Sequence, residues 1–326
     1  KFLSVVLATA MVVSSITVYG ASVKVPEDRV LTSVKEYSIA PGIKEKHITT
    51  VDKDGNNQVQ AYMAEIDLKT SSVGMMAGYK NYDKTGKWGM QTVRDQAKAA
   101  EKATGKTIVA AINGDYFDMG TGQPWGSLVM GGDIVQTQND HPYFAIMKDG
   151  TADCREAYEP LDDVVEAIGS PFFLVKDGKA LEELAADPYA MPRCAVGIKA
   201  DGSVIIYEAD GRQAPKSCGQ SLYETAKQME AMGCVEALYL YGGGSATFAT
   251  KTEGTDSLEV KNSPSDGTER KVSSSLFIYS DAKADGEFDH ATISPLEEVY
   301  TPGSTVQFEA TGVDSAGGKA DLPKEA

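Results

Sequence analysis

The apolar run Ala237-Leu238-Tyr239-Leu240-Tyr241 stops at three glycines, Gly242, Gly243 and Gly244, and two hydroxyls, Ser245 and Thr247, follow at once. Glycine has no Cβ, so it allows positive φ and lets a ligand approach the backbone. A buried strand that ends in such a turn can hold an anionic or sugar-like group on backbone N–H groups. Two familiar turns are excluded by the residues themselves. A P-loop needs a Lys-Ser/Thr ending and a nucleophile elbow needs Gly-x-Ser-x-Gly, and Ala246-Thr247-Phe248 supplies neither. Polar groups close two other apolar runs. Asn113-Gly114-Asp115 follows residues 108–112, and Asp210-Gly211-Arg212-Gln213 follows residues 204–209. At the end of a buried strand such groups point into a site or cap the turn.

The elements that must position these groups are mostly strands. Residues 43–51 and 59–68 read as a hairpin around the turn 52–57, and residues 127–130 and 134–136 as another around Gly131-Gly132-Asp133. Residues 120–126 form a glycine-rich loop, and residues 143–148, 164–168 and 172–175 add short apolar pieces. Residues 192–198 and 204–209 are two strands joined by a turn at 199–203. Two segments have helical composition: 91–104, stopped by Gly105, and 221–232, with Leu222, Ala226, Met229 and Met232 on one face, stopped by Gly233. Many short strands and two helices predict an α+β fold with a mixed, mostly β sheet core and a few packed helices. Residues 22–42 are mixed in composition and read as an irregular lead-in.

Composition narrows the classes of partner. The 326 residues carry 47 Asp and Glu against 31 Lys and Arg, a net charge of −16. That excess argues against nucleic acid or an anionic membrane surface, which would select a basic footprint. An anionic substrate must be held by a few placed arginines. The three histidines, His47, His141 and His290, stand apart from the motifs, against Ser-His-Asp chemistry and a His-rich metal site. The four cysteines show no Cys-x-x-Cys spacing. A Cys218–Cys234 disulfide and free buried thiols are both open. Residues 1–21, a charged start with a short apolar core and small residues at the end, read as a secretory signal peptide, with Lys1 where a Met is expected. The chain is therefore expected to be exported, with no membrane span after cleavage.

Six motifs in order resemble the phosphodiester glycosidase family, which includes the enzyme that uncovers mannose 6-phosphate by removing an N-acetylglucosamine cap. They are Asn113-Gly114-Asp115-Tyr116-Phe117, Pro192-Arg193-x-Ala195-Val196-Gly197, Asp210-Gly211-Arg212-Gln213, Gly219-x-Ser221-Leu222, Ala237-Leu238-x-Leu240-x-Gly242-Gly243-Gly244-Ser245-x-Thr247, and Asn262-x-Pro264-Ser265-Asp266-Gly267-x-Glu269-Arg270. They span roughly residues 108–280.

The resemblance implies a secreted or cell-surface bacterial enzyme that hydrolyses a sugar-1-phosphodiester at its glycosidic bond. Its substrate would be a glycosyl phosphodiester or related carbohydrate of the envelope or extracellular glycans, and no cofactor is required. On that reading Arg193, Arg212 and Arg270 grip phosphate. Asp115 and Asp210 supply the carboxylate chemistry. Asn113, Gln213, Tyr241, Ser245, Asn262 and the backbone of Gly242, Gly243 and Gly244 line the substrate pocket. A Ca²⁺-dependent version would draw on Asp115, Asp118 and Asp210.

One departure stands out. The family pattern has Asp before the glycine run and this chain has Tyr241, which cannot act as a carboxylate. A catalytically weakened carbohydrate- or phosphoglycan-binding relative is the alternative reading. In domain terms, residues 43–281 form the glycosidase unit and 282–290 a polar linker. Residues 291–326 resemble the truncated start of a bacterial immunoglobulin-like module.

Overall fold

The apolar runs become strands buried on both faces, and this is why they read as continuous rather than alternating. In this computed structural model residues 23–137, 140–294, 303 and 305–323 are described. The signal-peptide reading of residues 1–21 lies outside them. An eight-stranded sheet runs in the spatial order Arg29–Ala40, Ile43–Asp52, Val59–Ile66, Val204–Ala209, Arg193–Lys199, Cys234–Leu240, Phe173–Lys176 and Lys179–Ala180. Every neighbouring pair in it is antiparallel.

Strand parity decides which side chains meet. Val196, Ile198, Val204, Ile206, Leu238 and Leu240 pack into one core, while Ala195, Ile205, Tyr207, Ala237 and Tyr239 pack into another on the opposite face. The first core is shared with two five-stranded sheets. One is Leu258–Val260, Phe248–Lys251, Ile108–Asn113, Ser274–Ser280 and Val73–Tyr79; the other is Asp133–Gln136, Leu128–Met130, Val164–Gly169, Tyr143–Met147 and Ala152–Arg155. The second core is closed by the helix Leu222–Ala231, whose Leu222, Ala226 and Met229 are buried. Ser221 and Glu224 form a capping box at its start. The helix Val93–Thr104 covers the outer face of the Ile108–Asn113 sheet and ends at Gly105, φ +72.

Among the described residues the fold is mostly β with two α-helices, within the expected α+β class. One expectation is corrected. Residues 22–42 are not an irregular lead-in, because Arg29–Ala40 is the edge strand of the large sheet, in register from Arg29↔Asp52 to Ala40↔Ile43. Its charged residues and solvated face hide the strand period, and Gly42, φ +80, makes the tight turn into the next strand. At the C-terminus, His290–Ser294, Glu309–Val313 and Lys319–Ala320 form a three-stranded antiparallel sheet. It is tied to the main body by Gly254 N donating to Gly317 O and by His290 Nε2 with Glu253. The four cysteines are free and Cys154, Cys194 and Cys234 are buried, so the Cys218–Cys234 alternative is not realised.

Candidate active site

The glycine turn is the crossover between two sheets. Cys234–Leu240 lies in the large sheet and Phe248–Lys251 pairs with Ile108–Asn113 in a smaller one, so the turn joins them at one end of the interlayer core. The absent side chains have specific causes. A Cβ on Gly242 would overlap Pro192 O, and one on Gly244 would overlap the Arg270 guanidinium and Asp266. Gly243 has φ +63 and donates from its N–H to Pro192 O at 2.8 Å. The turn continues into a short 3₁₀ segment, Gly243–Ser245.

The three arginines have three different fates. Arg193 is 2% exposed, and its guanidinium donates to Gln220 O (2.9 Å), Tyr189 O (2.7 Å) and Tyr239 Oη (3.2 Å). It braces the turn from below. Arg270 donates from Nε to Asp266 (2.8 Å) and from Nη1 to Ser245 Oγ (3.4 Å), closing over Gly244. Arg212 is exposed and in no ion pair among the described residues; its recorded contact is Nη2 to Met191 Sδ at 4.0 Å. Its guanidinium overhangs Gly243, with Nη2 3.4 Å from where a Cβ would stand. Its backbone has φ +61, a strained conformation for a side chain of this size.

The two expected catalytic carboxylates are buried and share no partner. Asp115 is 3% exposed and accepts from the N–H groups of Tyr116 and Gly126, both at 2.6 Å. Burial pushes its carboxyl up to about 7, against the pull of those two donors and the charge of His141. Asp210 is 1% exposed and accepts from Ser263 N through both oxygens, at 2.9 and 3.0 Å, and from Asn262 Nδ2 at 3.4 Å. Burial pushes it up to about 6. Asp118 caps an exposed turn through the N–H groups of Gly120 and Thr121, both at 2.8 Å. Each carboxylate is engaged by separate N–H donors, and no group of three or more ligating His, Cys, Asp or Glu forms among the described residues.

The amide side chains face inward. Asn113 is fully buried: its Nδ2 donates to Tyr241 O (2.6 Å), and its Oδ1 accepts from Thr247 N (3.0 Å) and Cys194 Sγ (3.3 Å). It clamps both ends of the glycine turn and offers a sugar nothing, contrary to its expected role. Asn262 Oδ1 accepts from Phe248 N at 2.8 Å, and Gln213 exchanges hydrogen bonds with Ser263. Both hold the loop that supports Asp210.

The model of the family described as phosphodiester glycosidase matches residues 106–279. The chain belongs to the phosphodiester glycosidase family. It is 28% identical over 161 residues to the N-acetylglucosamine-1-phosphodiester alpha-N-acetylglucosaminidase of Mus musculus, 42% of this chain and 31% of that one. It is 38% identical over 98 residues, 30% of this chain and 14% of the other, to an SPbeta prophage-derived uncharacterized protein of Bacillus subtilis. The chain thus spans about a third or less of the length of these relatives. Among solved structures, the catalytic domain of the zebrafish N-acetylglucosamine-1-phosphodiester alpha-N-acetylglucosaminidase, auto-inhibited by pro-peptide, superposes with a TM-score of 0.57 at 23% identity, covering 77% of this chain and 88% of that one. A hypothetical protein from Synechocystis gives 0.60 at 14%, covering 76% and 64%. Both show the shared fold.

In this family member the position before the glycines is filled by packing. The Tyr241 ring lies 4.4 Å from Tyr116 and 5.5 Å from Phe117, centroid to centroid. Tyr116 also meets Trp125 edge-on at 5.4 Å, and Trp125 is 49% exposed. The glycosidase-family turn is therefore flanked by an aromatic wall that sequence reasoning missed, although Tyr116 stands inside a quoted motif and Trp125 in the glycine-rich loop.

A second omission is Glu208, fully buried on Val204–Ala209 with neither carboxylate oxygen hydrogen-bonded. Burial and the neighbouring Asp210 hold its pKa well above the carboxylate range. A lone acid in the otherwise apolar run Val204-Ile205-Ile206-Tyr207 was the available signal.

Proposed function

We propose that this chain hydrolyses a sugar-1-phosphodiester at the glycosidic bond, releasing the sugar and a phosphomonoester. The observation that supports this most is Arg212: a guanidinium in no ion pair among the described residues, lying over Gly243 and carried on a backbone at φ +61. A guanidinium whose N–H groups face open space beside a Cβ-free turn suits two phosphate oxygens. The sugar would lie against Tyr116, Trp125 and Tyr241. Water adds to the anomeric carbon while the C–O bond to phosphate breaks, its electron pair staying on the phosphate oxygen. The proton lost by water passes to a carboxylate. Asp210 and Asp115, pushed up to about 6 and about 7, exchange protons near neutrality. A phosphomonoester is a weakly basic leaving group, so arginine charge matters more than protonation.

The mammalian relatives' name specifies N-acetylglucosamine-1-phosphodiester, which makes that sugar the first to test. We place the activity outside a bacterial cell, on envelope or extracellular glycans, on the strength of the leader-like residues 1–21. Among the described residues no helix is long and apolar enough to cross a membrane. We read the C-terminal sheet as immunoglobulin-like.

Release of chromophore from a nitrophenyl phosphodiester of N-acetylglucosamine 1-phosphate tests the reading, and an inert chain that still binds the ligand would refute it. That outcome is the second reading, a binding-only relative, favoured by Tyr241 and by the full engagement of Asp115 and Asp210. Tyr241→Asp then separates the two: a rise of roughly tenfold or more marks the position as catalytic.

A further inference from the structure

A cavity of about 450 Å³ opens where three sheets meet, and none of its walls belongs to the glycine turn or the motif residues around it. One wall is aromatic. His47 and Tyr62 are cross-strand partners with ring centroids 4.7 Å apart, and Tyr37 of the edge strand lies 5.0 Å from His47. At its base Glu45, 3% exposed, accepts from Thr250 Oγ1 at 2.6 Å and pairs with His47 Nε2, which fixes the imidazole against Tyr62. The facing walls are mixed but rich in polar groups: Lys251, Glu259 and Lys261, with Val260, follow the glycine turn in the chain, and Thr292, Ser294 and Thr311, with Ile293, come from the C-terminal sheet.

Chemistry narrows the occupant. Lys251 is already paired with Glu101 (3.4 Å) and Lys261 with Glu259 (2.9 Å), so an anion meets no uncompensated cation. No metal-ligating cluster forms among the described residues. Walls rich in hydroxyls and charges would strand unpaired polar groups against a lipid chain. A ring with an apolar C–H face for the aromatic wall and hydroxyls for the opposite walls satisfies both. The volume falls within the roughly 300–1,000 Å³ of small-molecule sites.

We propose that this cavity is a second carbohydrate site, separate from the glycine turn, that takes a neutral mono- or disaccharide unit. It is built jointly by the large sheet, the strands after the glycine turn and the C-terminal sheet. Isothermal titration with maltose, cellobiose and N,N′-diacetylchitobiose tests it, using the full chain with Arg212→Ala and Trp125→Ala so that both the phosphate contact and the exposed aromatic contact proposed at the glycine turn are removed. Saturable binding of at least one disaccharide is expected, weakened roughly tenfold or more by Tyr37→Ala. Ser294→Arg, from an exposed rim position, should weaken it equally and guards against misfolding of the Tyr37 variant. No saturable binding of any of the three, or binding that both variants leave unchanged, overturns the proposal. Hydrolysis is read in the separate phosphodiester assay, so either result stands without the other.

Discussion

Replacing Arg212 with glycine should stabilise the fold and disable the site at the same time. Arg212 sits at φ +61 with an exposed side chain that no carboxylate holds among the described residues. A left-handed conformation costs an L-residue about 1–2 kcal/mol. Glycine removes that cost but loses about 0.5–1 kcal/mol in chain entropy. The balance spans about 0–1.5 kcal/mol and centres on a gain of roughly 0.75 kcal/mol, a rise in Tm of about 2–3 °C for a domain of this size. The guanidinium's charge-assisted hydrogen bonds to phosphate are worth about 1.5–3 kcal/mol, so kcat/KM should fall roughly 10- to 150-fold. Arg212→Ala is the control: it loses the guanidinium but keeps the strain, so activity should fall equally with no gain in Tm. Thermal melts and hydrolysis of the chromogenic phosphodiester, run on both variants, decide it. Wild-type kcat/KM in the glycine variant would refute the phosphate contact, and a glycine variant melting below the alanine variant would refute the strain.

Glu208 should make stability fall with pH. Its folded pKa is raised above the unfolded 4.5, so its favourable contribution is complete below that value and lost as pH rises towards the folded one, by up to about 1.4 kcal/mol per pH unit. Glu208→Met, apolar and of similar length, should flatten the decline of Tm above about pH 5, and an unchanged slope would count against a neutral buried acid. Gly244→Ala places a Cβ into Arg270 and Asp266, and overpacking of this kind costs about 1–3 kcal/mol. Chemical denaturation measures it, and wild-type stability would mean that the pair moves aside freely. Asn113→Ala leaves Thr247 N and Tyr241 O unpaired in the interior, at about 1–3 kcal/mol each, so a large loss of stability is expected in the same denaturation assay. Full stability with lost activity would return Asn113 to the substrate.

Local signals were legible in the chain itself. The apolar face of Leu222, Ala226 and Met229 announces a helix, Gly105 a helix stop, and the apolar runs 108–112, 193–198, 204–209 and 237–240 the buried strands, because helix stops and burial on one or both faces act within a few residues. Family membership was legible for a similar reason: six short motifs in fixed order specify backbone turns, such as the Cβ-free approach of Gly242 to Pro192 and of Gly244 to Arg270. Edge strand Arg29–Ala40 escaped notice because a half-solvated, charged strand gains its definition from the neighbour it pairs with.

Roles within the site were decided only by tertiary structure. Sequence places Asn113, Asp115, Arg193 and Asp210 at strand ends but not which way they face. Parity and packing turn Asn113 and Arg193 inward onto backbone groups, give Asp115 and Asp210 separate partners, and leave Arg212 alone over Gly243. Tyr241 likewise looked like a missing carboxylate in the chain, and in the fold it is one face of an aromatic wall. A residue's type is set by its codon, but its free hydrogen-bonding capacity is whatever its neighbours, distant in sequence, leave unused.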